Sequence, residues 1–175
     1  VKVAFDLSQG GSEPFSMTWE YWDGKVWRPF KNTHPACDQA ESKLVDSTAG
    51  LRQSGVMLLS ADCAETKEKE LEGIKSFWVR ACLTEPLMPD PAQLLPEVEQ
   101  IELSTILTHE IELDEGGLEQ KIEPAVTGGF LPDQAIADAA EVDLTKPFYP
   151  FGMQPKPGSA FYFTANELFT KPFAQ

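Results

Sequence analysis

Histidine, cysteine and basic side chains are all scarce in this chain, and each shortage removes a class of function. Only two histidines, His34 and His109, occur in 175 residues. Nucleophilic triads and zinc centres both draw on histidine, and neither is offered a set here. His34-Pro35-Ala36-Cys37 has an H-x-x-C spacing, but no second pair completes a tetrahedral zinc site. The three cysteines, Cys37, Cys63 and Cys82, include no C-x-x-C pair and make an odd count. They are read as buried thiols of a protein synthesised in the reducing cytoplasm, with one disulfide plus one free thiol as the lesser reading. Fourteen Lys and Arg against 28 Asp and Glu leave a net charge of −14, which repels a phosphate backbone and counts against nucleic acid as a partner. No apolar run approaches the roughly 20 residues of a membrane helix, so no membrane insertion is expected. No signal peptide opens the chain. It starts without Met in a strand-like run and is read as a piece of a longer protein.

Hydrophobic residues make up 42% of the chain, with 11 Phe and 4 Trp, so disorder is excluded. A chain of this size buries roughly 70% of its unfolded surface, enough for a core without disulfides. The dominant pattern is alternation. Val1, Val3, Phe5 and Leu7 alternate with polar or small residues, as do Phe15, Met17, Trp19 and Tyr21. Asp23-Gly24 then signals a hairpin, with a return strand over 26–30 that Pro29 places at an edge. Two registers compete: a two-residue loop sets Glu20 opposite Trp27, and a three-residue loop pairs Trp19 with Trp27. The second is favoured because it gathers Trp19, Tyr21 and Trp27 on one face. Residues 55–60 read as a strand buried on both faces, and 65–72 as a solvated helical turn or loop. Phe77, Val79, Ala81 and Leu83 face one way while Trp78, Arg80 and Cys82 face the other. Residues 101–113 alternate throughout, and 160–164 give a further strand. Asp133 is placed to cap one short helix over 134–141.

The expected fold is therefore mainly β: an antiparallel β-sandwich, jelly-roll-like, with one short helix and a Pro/Phe-rich C-terminal extension. The expected organisation is a sandwich over 1–113, an acidic, Gly-rich connector over 114–146, and the start of a second β unit, or an extension docked on the sandwich, over 147–175. The last segment carries eight aromatic rings, too many to bury among 29 residues. At least two of them are expected to stay exposed as a contact.

Sites of chemistry are few. Glu110 and Glu112 share a strand face at a spacing that could suit a glycosidase, but that face is polar and lacks an aromatic platform. Asp114-Glu115-Gly116-Gly117 offers oxygen ligands without the ordered spacing of a calcium loop. His109 lies on the apolar face of its strand as a packed core residue. No phosphate loop, nucleophile elbow, dinucleotide fingerprint or metalloprotease motif occurs. Neither catalysis, a cofactor nor a metal is expected. What stands out is aromatic: Trp19 is expected in the core, and Trp22, Trp27, Trp78, Arg80, Phe148, Phe151, Tyr162 and Phe169 are the candidate partner-binding residues, since aromatics and arginine anchor interfaces.

The run FSMTWEYWDGKVWRPF, followed by DSTAGLRQSGVMLLS and FWVRACL, resembles a series found in baseplate assembly proteins of contractile, phage-tail-like injection particles. There a WEYWDG..W hairpin precedes a D.T.gl..sG turn, an apolar strand and a W.RarL strand. The later FYPFGMQPKPGSAFYFTANELFTKP resembles the same family's PFG..P..gd.FYl...e.FsK segment. Both blocks occur in order and cover about half of the chain. The resemblance implies a structural, non-enzymatic subunit that contacts other subunits of a virion or tail-like particle. The alternative is a carbohydrate- or receptor-binding module that uses the Trp-rich hairpin as a glycan platform.

Overall fold

Alternating strands that each have one apolar face are stable only when two sheets close those faces on each other. The computed structural model describes residues 1–30, 45–59, 66–88, 90–107 and 125–169, and shows that arrangement, an antiparallel β-sandwich. The first sheet holds β1 (Lys2–Gln9), β4 (Val45–Asp46), β5 (Gly55–Leu58), β9 (Glu97–Leu107) and β10 (Ala125–Phe130), in the order β10-β9-β1-β5-β4. The second holds β2 (Met17–Trp22), β3 (Trp27–Pro29), β8 (Val79–Leu83), β11 (Gln134–Ala137), β12 (Ala140–Glu141) and β13 (Ala160–Thr164), in the order β12-β11-β13-β8-β2-β3. A separate hairpin pairs β6 (Lys69–Leu71) with β7 (Ile74–Ser76), and a single helical turn, α1 (Asn166–Phe169), follows β13. No helix among the described residues is long and apolar enough to cross a membrane.

Val3, Phe5, Met57, Val98, Ile101 and Leu103 of the first sheet meet Trp19, Val79, Ala81, Ala135, Phe161 and Phe163 of the second in one core. The ring of Phe5 lies 6.0 Å from that of Trp19, and Trp19 meets Phe163 edge-on at 6.0 Å. Large and small residues alternate across the second sheet. Trp19 and Phe161 both flank Ala81, while Phe163 sits between Val79 and Ala135. Each fully buried large side chain contributes about 1.5–3 kcal/mol, so this layer dominates the stability.

Beside the core, Asp46 organises the turn into β5. Its carboxylate accepts hydrogen bonds from the Thr48 amide and hydroxyl and from the Gly50 amide. The backbone turns left-handed at Ala49, Gly50 and Leu51 (φ 52°, 72° and 63°), which drops Leu51 into the core. A Cβ on Gly50 would come within 2.8 Å of the Phe15 amide nitrogen, so glycine is required for space as well as conformation.

Several expectations hold. Trp19 is 3% exposed, β8 alternates its buried and half-buried faces as foreseen, and 160–164 is a strand. The structure corrects others. Residues 134–141 form no helix: β11 lies between β13 and β12, with its alanines small enough to sit opposite Phe161 and Phe163. Asp133 does accept a bond from a helical amide, but from Asn166 at the start of α1. The charged run at 65–72 contributes β6, joined to β7 by a tight turn in which Glu72 and Gly73 both have positive φ. The hairpin adopts neither foreseen register. Trp22 pairs with Trp27 across a four-residue loop, so Trp27 faces away from Trp19. Gly128 and Gly129 fall within β10, where the pairing with β9 shifts register between Thr127 and Phe130. β11, from the 114–146 segment, and β13, from the 147–175 segment, are interior strands of the second sheet. His34, Cys37, Cys63, His109, Glu110, Glu112 and residues 114–117 lie outside the described residues.

Candidate functional site: the outer face of the second sheet

The side chains opposite the core layer form a row across the second sheet. Glu141, Ile136, Tyr162, Arg80, Glu20 and Pro29 are successive cross-strand neighbours from β12 to β3. Trp22 and Trp27 pair at the end of this row beside the hairpin loop. Four of the candidate contact residues, Trp22, Trp27, Arg80 and Tyr162, are thereby brought onto one half-buried face.

Their geometry is that of an interlocked cluster. Trp22 and Trp27 meet edge-on at 5.5 Å with planes 64° apart, and Trp27 approaches Tyr162 at 5.7 Å with a tilt of 55°. The Arg80 guanidinium lies 4.4 Å from the Trp27 ring centre while its Nε donates to the Glu20 carboxylate at 2.6 Å. The Lys69 ammonium sits over the Trp22 ring at 3.7 Å. A cation held against an indole face contributes about 0.5–2 kcal/mol, depending on how far it is desolvated.

Two local devices hold this cluster. In the hairpin loop the Asp23 carboxylate accepts bonds from the amides of Lys25 and Val26 and from Arg28 Nε. The Val26 amide, then Arg28, then the Lys25 amide pull the Asp23 pKa down to about 2. Those amides widen the loop to four residues and so set the Trp22–Trp27 pairing. The second device is the β6–β7 hairpin, which covers one end of the face. The Lys67 amide donates to the Trp22 carbonyl, and Trp78 Nε1 donates to the Lys69 carbonyl. Ser76 shares a hydrogen bond with Thr164 of β13 and donates another to Asn166.

The other candidates separate from this cluster. Trp78 shares the outward orientation of Arg80, yet the β6–β7 hairpin leaves it only 2% exposed. Phe148 stacks on Phe161 at 5.6 Å and Phe151 packs on Phe15 at 5.5 Å, which makes both core residues. These three rings have no free face with which to bind a partner. Of the tail aromatics described, Phe148, Phe151, Phe161 and Phe163 are buried and Tyr149 and Tyr162 half-buried, so the expected exposed tail rings are not found among them. The side chain of Phe169 lies outside the described residues. Lys69, Glu20 and Asp23 hold the cluster without being among the candidate contact residues. Lys69 sits in a charged run that its sequence does not distinguish from a solvated loop.

Cys82 lies on the same outer face, one cross-strand position from Thr18, and burial pushes its thiol pKa up, away from nucleophilic reactivity. Among the described residues no group of three or more His, Cys, Asp or Glu is placed to hold a metal ion. No protein-family model matches the chain, and neither a curated protein nor a solved structure is found to resemble it.

Proposed function

We propose that this chain is a structural subunit, or part of one, from the baseplate of a contractile, phage-tail-like particle, working through protein–protein contacts. The observation that carries this reading is the state of the outer aromatic face. Its rings are tilted 55–64° to one another, and two of them already hold Lys69 and Arg80 against their faces. A sugar platform needs flat, uncovered rings to stack on pyranose faces. An interlocked aromatic–arginine cluster is instead the composition of an interface anchor. The resemblance of the two sequence blocks supports the choice of assembly.

The test is to tag the chain in its source, isolate large particles by sedimentation and look for it there. Co-sedimentation with tail-like particles, and their loss when the gene is deleted, is the expected result. A chain absent from such particles that binds a glycan array in a Trp27-dependent way would establish the alternative.

A further inference from the structure

The chain has one Asp-Gly step, Asp23–Gly24, and no Asn-Gly step. An Asp-Gly step is open to a spontaneous rearrangement, because glycine has no side chain to shield its amide nitrogen from the preceding carboxyl. In that reaction the Gly24 nitrogen attacks Asp23 Cγ and a carboxyl oxygen departs as water, closing a cyclic succinimide. Water then reopens the ring. Attack at the former side-chain carbonyl restores aspartate. Attack at the main-chain carbonyl leaves the backbone running through Cγ, which is isoaspartate, and no atom is gained or lost overall.

The loop requires this step. Gly24 has φ 99°, and a Cβ there would lie 3.0 Å from Cγ of Lys67, the residue whose amide donates to the Trp22 carbonyl. The reaction is opposed instead at Asp23, whose side chain is 17% exposed. Oδ1 accepts from the Lys25 and Val26 amides at 2.8 Å each, and Oδ2 accepts from Arg28 Nε at 2.7 Å. One of these oxygens has to leave as water, so the bonds to it must break first. The same donors hold the carboxyl ionised, with a pKa of about 2, and a carboxylate oxygen is a far poorer leaving group than the hydroxyl of a neutral carboxyl.

We propose that Asp23–Gly24 is an isoaspartate site which Arg28 and the two loop amides hold unreacted, and that its isomerisation takes apart the Trp22–Trp27 pair. The product adds one atom to the backbone between Trp22 and Trp27. It also moves the free carboxylate onto Asp23 Cα, away from its three donors. The loop that fixes the pairing of the two tryptophans thereby loses both its length and its anchor. A change at one exposed turn is carried in this way to the outer aromatic face. The inference is independent of the assembly role.

Ageing the 175-residue chain at neutral pH and body temperature, beside a blocked peptide of residues 17–30, tests this. Peptide mapping reads isoaspartate at position 23. An isolated hairpin is marginal in water, so the peptide lacks the ordered loop. The peptide is expected to isomerise at least about tenfold faster than the chain, the factor that one hydrogen bond to an ionised group is worth in rate. Arg28→Ala is expected to isomerise faster than the wild type, and Arg28→Lys, which keeps a cation on the loop, more slowly than Arg28→Ala. Tryptophan emission of the wild-type chain is expected to change in step with its isoaspartate content. Equal rates in chain and peptide overturn the protection, and that comparison needs no variant to fold. Arg28→Ala ageing no faster than the wild type overturns the part given to Arg28. Isoaspartate that accumulates with unchanged emission overturns the effect on the tryptophan pair.

Discussion

The two faces of the second sheet are built from the same residue types and do different work. Inward lie Trp19, Phe161 and Phe163, each buried against the first sheet. Outward lie Trp22, Trp27 and Tyr162, half-buried and braced by Arg80, Glu20 and Lys69. An aromatic residue in a strand therefore says little about its role until its parity is known. Inside, area removed from water sets the energy and small partners such as Ala81 and Ala135 set the fit. Outside, cations and tilted rings hold one another in place and leave edges for a partner.

The contrast breaks most readily at Phe163. Truncating a packed core ring costs about 3–5 kcal/mol, and Phe163→Ala, at 0% exposure, should fall in that range. Trp27→Ala removes a half-buried ring and should cost no more than about 1–2 kcal/mol. Urea unfolding midpoints measure both. Equal losses would mean that the outer cluster is a second core and not a contact surface.

Trp78 sharpens the comparison because it has outer parity and core burial. Its N–H is bonded to Lys69, whereas the buried Trp19 N–H finds no partner among the described residues. Trp78→Phe should cost about 1–3 kcal/mol through the Lys69 carbonyl it leaves unpaired. Trp19→Phe loses no hydrogen bond, so its cost is that of lost volume alone. Limited proteolysis should also cut the β6–β7 hairpin faster in Trp78→Phe than in Trp19→Phe. Identical cleavage would show that the hairpin is held by other contacts.

The strands that build these faces were legible wherever burial is one-sided. β1, β2, β8, β9 and β13 all show the period-two pattern that such burial imposes. β11 was not, because its alanines carry little strand propensity and are explained only by Phe161 and Phe163 across the sheet. β6 was hidden in alternating Glu and Lys, since its burden is to lie over Trp78 and not to enter the core. The pairing between β11 and β13 was not legible either, being a long-range fact with no local signature. At the site, the residue types were legible but their grouping was not. Which tryptophans share a face depends on the Asp23 loop, and a change of one residue in the register reverses the answer.

That dependence gives the smallest effect and the most local one. The amides of Val26 and Lys25 and the Arg28 side chain bond the ionised Asp23 carboxylate, holding its pKa at about 2 against an ordinary 3.8. A carboxyl whose pKa is depressed on folding stabilises the fold fully above its unfolded value, and loses that contribution as pH falls through the folded one. The loop should therefore be unaffected down to pH 3.8 and loosen between there and about 2. Asp143 provides an internal control, because Lys146 and Thr145 lower its pKa to about 2 as well, with no tryptophan among its hydrogen-bond partners. Tryptophan emission should show a step in this window as the Trp22–Trp27 pair relaxes. Asp23→Asn should remove the step, since an amide does not titrate, and Asp143→Asn should leave it intact. A step that survives Asp23→Asn would mean that the register is held by the Trp22–Trp27 contact itself. The outer face would then be ordered, like the inner one, by its rings and not by the charges around them.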